Sequence, residues 1–151
     1  MIKEMKGNAL DVECDVLAHQ TNYYGIMGGG IASQIKEELL DDEAFKSYTD
    51  FCDMYGEEAL GMIELLKVDK KCKYVANLFG QRDWDTDYKS LKSAMNWLND
   101  FAKTELNNGT IVIPGYIGCG IAGGDWNKVY NDIIKPIFEN SPVELTIVYF
   151  E

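Results

Sequence analysis

Glycine placement carries the strongest chemical signal in this chain. Nine of its 14 glycines fall in two short stretches. Gly25, Gly28, Gly29 and Gly30 follow one strand-like segment; Gly115, Gly118, Gly120, Gly123 and Gly124 follow another. Each stretch leads into a helical pattern. Residues without Cβ let successive backbone N–H groups converge on an anion, and a helix N-terminus adds partial positive charge. A phosphate-bearing ligand fits that pattern; the competing reading is a pair of tight strand-to-helix turns. Recurrence at matching places in the topology favours the anion site. No Gly-Lys-Ser/Thr and no GxGxxG occurs, so neither a P-loop nor a dinucleotide-binding turn is expected.

Two side chains beside these stretches can move protons. His19, the sole histidine, lies just before the first, and Asp125 closes the second. An imidazole with a reference pKa near ~6.5 can give or take a proton at neutral pH. Each residue also has a plainer reading, His19 as a satisfied core residue and Asp125 as a helix N-cap. Cys119 sits between two glycines with no basic neighbour and reads as packing rather than as a nucleophile.

Composition bounds the scaffold that must position them. The chain has 151 residues, enough for one domain spanning 1–151 with its own core. Lys and Arg total 14 against 25 Asp and Glu, a net charge of −11. That balance argues against duplex nucleic acid or an anionic membrane as partner. It also sharpens the glycine reading, since neutral N–H groups rather than lysines would hold the phosphate. Cys14, Cys52, Cys72 and Cys119 show no CxxC spacing and read as free thiols, and one histidine excludes a multi-histidine zinc site. Neither metal nor cofactor is expected. The start, Met1 to Lys6, lacks the apolar core of a signal peptide, and a cytoplasmic monomer is expected.

Periodicity supplies the elements. Strands are expected at 2–6, Asp15–Gln20, Gly61–Val68, Cys72–Phe79, Thr110–Pro114 and Glu144–Phe150. Helices are expected from Gly30 to Leu40, over 43–55, over 86–106 with Asp85 or Thr86 as cap, and from Trp126 to Phe138, kinked or split by Pro136. Alternating strands and helices make an α/β domain with a mixed, mostly parallel sheet covered on both faces. Trp84 and Trp97 read as packing, although Gln81, Arg82 and Trp84 could instead rim a pocket.

Four segments together resemble a macro domain: Gly7-Asn8-Ala9-Leu10, Leu17-Ala18-His19-Gln20-Thr21-Asn22, Gly28-Gly29-Gly30-Ile31-Ala32, and Ile117 through Trp126. The likeness covers essentially the whole chain and is nearest to small single-domain proteins that process ADP-ribose 1″-phosphate. It implies a three-layer αβα fold and ADP-ribose or ADP-ribose 1″-phosphate as ligand. Asn8 and Ala9 stand at the adenine end, with Asn8 where the family usually has an aspartate. Asn22 matches the asparagine at the distal ribose. Gly28, Gly29, Gly30 and Ile31 match the loop around that ribose and its phosphate; Gly118, Cys119, Gly120, Ile121, Ala122, Gly123 and Gly124 match the diphosphate loop. Tyr149, with Phe150, ends the last strand near the adenine face. The likeness also implies His19 and Asp125 as an acid/base pair, Asp125 activating water and His19 protonating the leaving ribose oxygen. Some relatives use a lysine after the central strand and an aspartate in the second loop. Here that stretch reads Asn77 to Trp84 without a lysine, and Ala122 replaces the aspartate.

Two readings stand at this point. One is a hydrolase of ADP-ribose 1″-phosphate or a related ADP-ribosyl bond; the other is a module that binds ADP-ribose without turnover. An acidic mimic of nucleic acid is weaker, because it leaves the glycine loops unexplained.

Overall fold

The computed structural model describes residues 1–151. In chain order the strands are β1 (Ile2–Gly7), β2 (Cys14–Thr21), β3 (Ile63–Lys67), β4 (Cys72–Phe79), β5 (Gln81–Arg82), β6 (Asp85–Thr86), β7 (Thr110–Pro114) and β8 (Glu144–Phe150). Six of them form one sheet in the order β1-β8-β7-β2-β4-β3, and β5 with β6 makes a small separate hairpin. Every neighbouring pair in the large sheet is parallel except β3 with β4.

Parallel strands need crossovers, and here these are helices packed on both faces. They are α1 (Gly30–Glu38), α2 (Asp42–Tyr55), α3 (Tyr88–Thr104), α4 (Trp126–Val129) and α5 (Lys135–Phe138). On one face Val16, Ala18, Ile111, Ile113, Leu145 and Ile147 pack with Leu91, Met95 and Leu98 of α3 and with Phe138 of α5. On the other, Leu17, Val75, Val112 and Val148 pack with Ile35 and Leu39. Tyr48 and Cys52 of α2 pack beside them with Phe79. The three layers are therefore those of an αβα fold. No helix is long and apolar enough to cross a membrane.

Two expected details come out differently. The α3 cap is Asp87, whose side chain accepts from Ser90 N–H at 3.1 Å, rather than Asp85 or Thr86. Ahead of Pro136 the last helix widens into a π-turn over Tyr130–Ile134, with the Lys135 N–H donating to the Tyr130 carbonyl. Proline has no N–H, and its ring crowds the carbonyl of the turn before it; the wider turn relieves both. Trp97, expected to pack, lies exposed on α3.

A polar ladder crosses the sheet inside this core. His19 pairs with Asn77 across β2 and β4, and Asn77 pairs with Glu64 across β4 and β3. His19 Nε2 lies 2.7 Å from Asn77 Oδ1, Asn77 Nδ2 donates to Glu64 at 3.1 Å, and Ser47 of α2 donates to Glu64 at 2.9 Å. Glu64 can only accept, so Asn77 must turn its oxygen to His19. The proton then sits on His19 Nε2, and Nδ1 is a buried acceptor without a partner.

His19 is fully buried, and burial lowers its pKa to about 4 despite the opposing hydrogen bond to Asn77. Between the unfolded value and about 4 the unfolded chain binds a proton that the folded chain does not. Folding stability is therefore expected to fall as pH drops through that window, by on the order of 3 kcal/mol from this group alone. Denaturant unfolding at stepped pH checks it: His19→Gln flattens the curve over this window, and an unchanged slope would refute the assignment.

Candidate functional site

The edge of the sheet formed by the C-terminal ends of β1, β8, β7, β2 and β4 carries a cleft of about 590 Å³. Its walls are the two glycine loops. Loop 1 leaves β2 and runs into α1; loop 2 leaves β7 and runs into α4. Since β2 and β7 are neighbours in the sheet, the loops rise side by side. They also touch, because a Cβ placed on Gly29 would come within 2.8 Å of Ile121 Cδ1.

The state of the loop amides decides what the cleft can hold. In loop 2 the N–H groups of Gly115, Cys119, Gly123 and Gly124 are engaged internally, the last donating to the Gly118 carbonyl at 2.9 Å. Those of Gly118, Gly120, Ile121 and Ala122 have no partner in the chain, and these four residues line the cleft. In loop 1 the N–H groups from Gly28 to Ala32 are likewise without a partner, as the first turn of a helix requires. Gly124 locks this arrangement, for a Cβ there would lie 2.5 Å from the Gly118 carbonyl oxygen.

The cleft has two unlike ends. At the β1/β8 end lie Asn8, Ala9, Val148 and Phe150. Asn8 Oδ1 caps the short helical turn Ala9–Asp11 by accepting from Leu10 N–H at 3.0 Å. Phe150 is 78% exposed. At the β4 end lie Gln20, Asn22, Gln81 and Trp84, the last 73% exposed and stacked on Tyr24. The β5–β6 hairpin closes this end. Its Asp83 accepts from the hydroxyls of Tyr23 and Tyr24, and Arg82 is held by Glu57 and Asp87. Thr86 Oγ1 donates to the Gly118 carbonyl at 2.5 Å and accepts from Gln20 at 2.9 Å.

Asn22 acts first on its own loop. Its Oδ1 accepts from Tyr24 N–H at 3.0 Å and lies 3.1 Å from the Tyr48 hydroxyl; its Nδ2 donates to the Ile26 carbonyl at 2.9 Å. One N–H of that amide remains for a ligand.

Of the residues singled out in the sequence, Asn8, Ala9, Asn22, Gly28, Gly29, Gly30, Ile31, Gly118, Gly120, Ile121 and Ala122 line this one cleft. The expected acid/base pair is not assembled there. His19 points into the core ladder, and Asp125 is an exposed N-cap accepting from Asn127 N–H at 3.0 Å. Tyr149 also faces away: it packs on Tyr116 and Trp126 and donates to Glu4, and burial with that bond pushes its pKa up to about 12. Alternation along β8 puts Phe150 in the cleft instead. Cys119, Gly123 and Gly124 build loop 2 from behind, and burial raises the Cys119 thiol. Trp84 and Gln81 line the cleft, whereas Arg82 does not. No Asp, Glu, His, Cys, Lys or Arg is among the lining residues.

No family model matches the chain. An uncharacterized 17.5 kDa protein of Enterobacteria phage T4, from the tk-vs intergenic region, is 32% identical over 160 residues, covering 100% of this chain and 97% of that one. The DNA ADP-ribosyl glycohydrolase of Mycobacterium bovis is 27% identical across 99% of this chain, which spans only 42% of that enzyme's length. Among solved structures, the macrodomain of Mycobacterium tuberculosis DarG superposes with a TM-score of 0.84 at 24% identity, covering 98% of this chain and 97% of that one. Thermosipho africanus DarTG in complex with ADP-ribose gives 0.77 at 19% identity, over 97% of this chain and 41% of that one. The three layers and the sheet order are those of the macrodomain fold, and the chain belongs to one family with the 17.5 kDa phage T4 protein.

Proposed function

We propose that the cleft binds ADP-ribose and that the protein hydrolyses an ADP-ribosyl bond at the Gln81–Trp84 end. The observation that carries the binding reading is the double row of unpartnered amides, Gly28 to Ala32 on one side and Gly118, Gly120, Ile121 and Ala122 on the other, flanking a single groove. Such amides suit a diphosphate, and the apolar Phe150 end suits a base. The ADP-ribose complex of a protein with the same fold supports it, and the glycohydrolase relatives support the bond cleaved.

The lining limits how cleavage proceeds. Water attacks C1″ of the distal ribose, the bond to the leaving group breaks with its electron pair on that group, and the proton that the water sheds goes to solvent. No carboxylic acid, imidazole or ammonium group lines the cleft to protonate it, so the leaving group departs as a stable anion. A 1″-phosphate qualifies, as does a carboxylate. Gln81 Nε2 is anchored on the Asp83 carbonyl at 2.9 Å, which leaves its oxygen to accept from the attacking water. A second reading, capture without turnover, is favoured by the same lack of carboxyl, imidazole and amine groups in the lining.

A grip made of neutral amides in a chain of net charge −11 responds to salt in a characteristic way. Calorimetric affinity for ADP-ribose is expected to hold or rise by a few-fold between about 20 mM and about 200 mM NaCl, because salt screens the repulsion. A steep fall would instead mean that lysines or arginines hold the phosphates.

Gly29→Glu puts a carboxylate in the cradle, and its Cβ displaces only the flexible tip of Ile121. Binding is expected to weaken at least about 30-fold with Tm changed by less than about 2 °C. Turnover is read by incubating the protein with ADP-ribose 1″-phosphate and with carboxylate-linked ADP-ribose, following phosphate and ADP-ribose. Release that is lost in Gly29→Glu and kept in Asp125→Asn is expected; tight binding with no release from either substrate establishes the capture reading.

A further inference from the structure

The amide rows leave one part of the cleft unexplained, an aromatic shelf at its β4 end. Trp84 stands at the tip of the β5–β6 hairpin, between Asp83 and Asp85, and lines the cleft with Asn22, Ile26 and Gln81. Trp84, Tyr24 and Ile26 are all exposed, and large apolar side chains grouped in solvent mark a surface that meets a ligand or partner. The indole is braced: Tyr24 stacks against it with ring centroids 6.4 Å apart, and Tyr23 packs on Tyr24 at 4.7 Å. Both tyrosine hydroxyl protons are spent on Asp83, so these rings are held in place and offer π surface rather than hydrogen bonds. The charge around them is negative. Arg82 is taken up by Glu57 and Asp87, while Asp83 and Asp85 form no ion pair. Lys89 is the one other cation on the outer side of the hairpin. An aromatic face backed by carboxylates attracts a flat cation.

We infer that the cleft takes a second substrate, an ADP-ribose that carries a flat cation on C1″: the oxidised nicotinamide dinucleotide, with its pyridinium ring on Trp84. This rests on the ADP-ribose reading proposed above. The lining admits the chemistry. A group bonded through a cationic ring nitrogen leaves as a neutral molecule, so it escapes the need for an acid just as an anion does. Water adds its oxygen to C1″, and the C1″–N bond breaks with its electron pair on the ring nitrogen. Neutral nicotinamide departs, and the proton from the water goes to solvent. Nothing is oxidised or reduced, and water is the sole co-reactant. The ring cation also offsets one diphosphate charge, which suits a chain of net charge −11.

The test varies the ring and the shelf. Calorimetry on the unsubstituted protein, Trp84→Ala and Trp84→Phe compares ADP-ribose, the oxidised dinucleotide and its reduced form, whose ring is neutral. The unsubstituted protein is expected to hold the oxidised form at least as tightly as ADP-ribose and about fivefold tighter than the reduced form. Trp84→Ala is expected to move the ratio of affinities for the oxidised form and ADP-ribose about fivefold against the dinucleotide, and Trp84→Phe to recover most of that loss. Nicotinamide release, followed by chromatography, is expected from the unsubstituted protein and not from Gly29→Glu. Equal affinity for the two redox forms, a ratio unmoved in Trp84→Ala, or ADP-ribose binding with no nicotinamide released overturns the inference while leaving the cleft an ADP-ribose site. If ADP-ribose itself does not bind, the proposed function and this inference fail together.

Discussion

The binding edge depends on an unsatisfied set of backbone donors. Parallel strands β2 and β7 end side by side, and each hands its chain to a glycine loop. Helix α1 cannot satisfy its own first amides, and loop 2 satisfies only those that point away from the groove. What remains is positive potential without positive charge. A protein with 25 acidic residues against 14 basic ones can therefore present an anion site, and needs no lysine to do so. The acidic background even sharpens selection, because an anion gains nothing by settling elsewhere on the surface.

Much of this was legible in the sequence, for physical reasons that also mark where legibility stops. Glycine clusters after β-branched runs reveal loops whose backbone must approach something closely, and eleven of the expected contact residues do line one cleft. Side-chain direction was less legible. A strand alternates faces, so a residue one position off turns its back on the ligand. Tyr149 and Phe150 show this directly, since buried Leu145 and Ile147 fix Tyr149 on the α3 face. His19 failed for a related reason, yet a signal existed. Asn77 and Glu64 interrupt two other apolar strands, and three polar residues in adjacent buried strands imply a ladder rather than a catalytic group. Asp125 met the ordinary preference of its residue type for a helix start.

The β5–β6 hairpin was the least legible part, because two-residue strands have no periodicity. Its position comes from long-range side-chain bonds instead. Asp83, at φ 51°, reaches both tyrosines of loop 1, and Thr86 binds the Gly118 carbonyl while its N–H donates to the Ala122 carbonyl at 3.2 Å. The hairpin consequently joins both loops. It pins loop 2 at Gly118 and Ala122, on either side of the unpartnered Gly120 and Ile121 amides, and it brings Trp84 and Gln81 to the β4 end of the cleft. No local pattern encodes such a role, since each of these bonds spans tens of residues.

The core ladder and the cleft also meet in one element. Ser47 fixes α2 to Glu64, and the next residue, Tyr48, donates to the Asn22 carbonyl at 2.8 Å. Tyr48 is fully buried, so that hydroxyl has little freedom to leave its partner. Asn22 in turn holds Tyr24 and Ile26 in the curve that delivers Gly28 and Gly29 to the groove. A loop built from four glycines would by itself sample many shapes and lose that freedom on binding. Anchoring its base through a buried tyrosine moves that ordering cost from the binding step to the folding step. The buried His19–Asn77–Glu64 ladder, which contributes no atom to the cleft, helps seat the helix that carries this anchor.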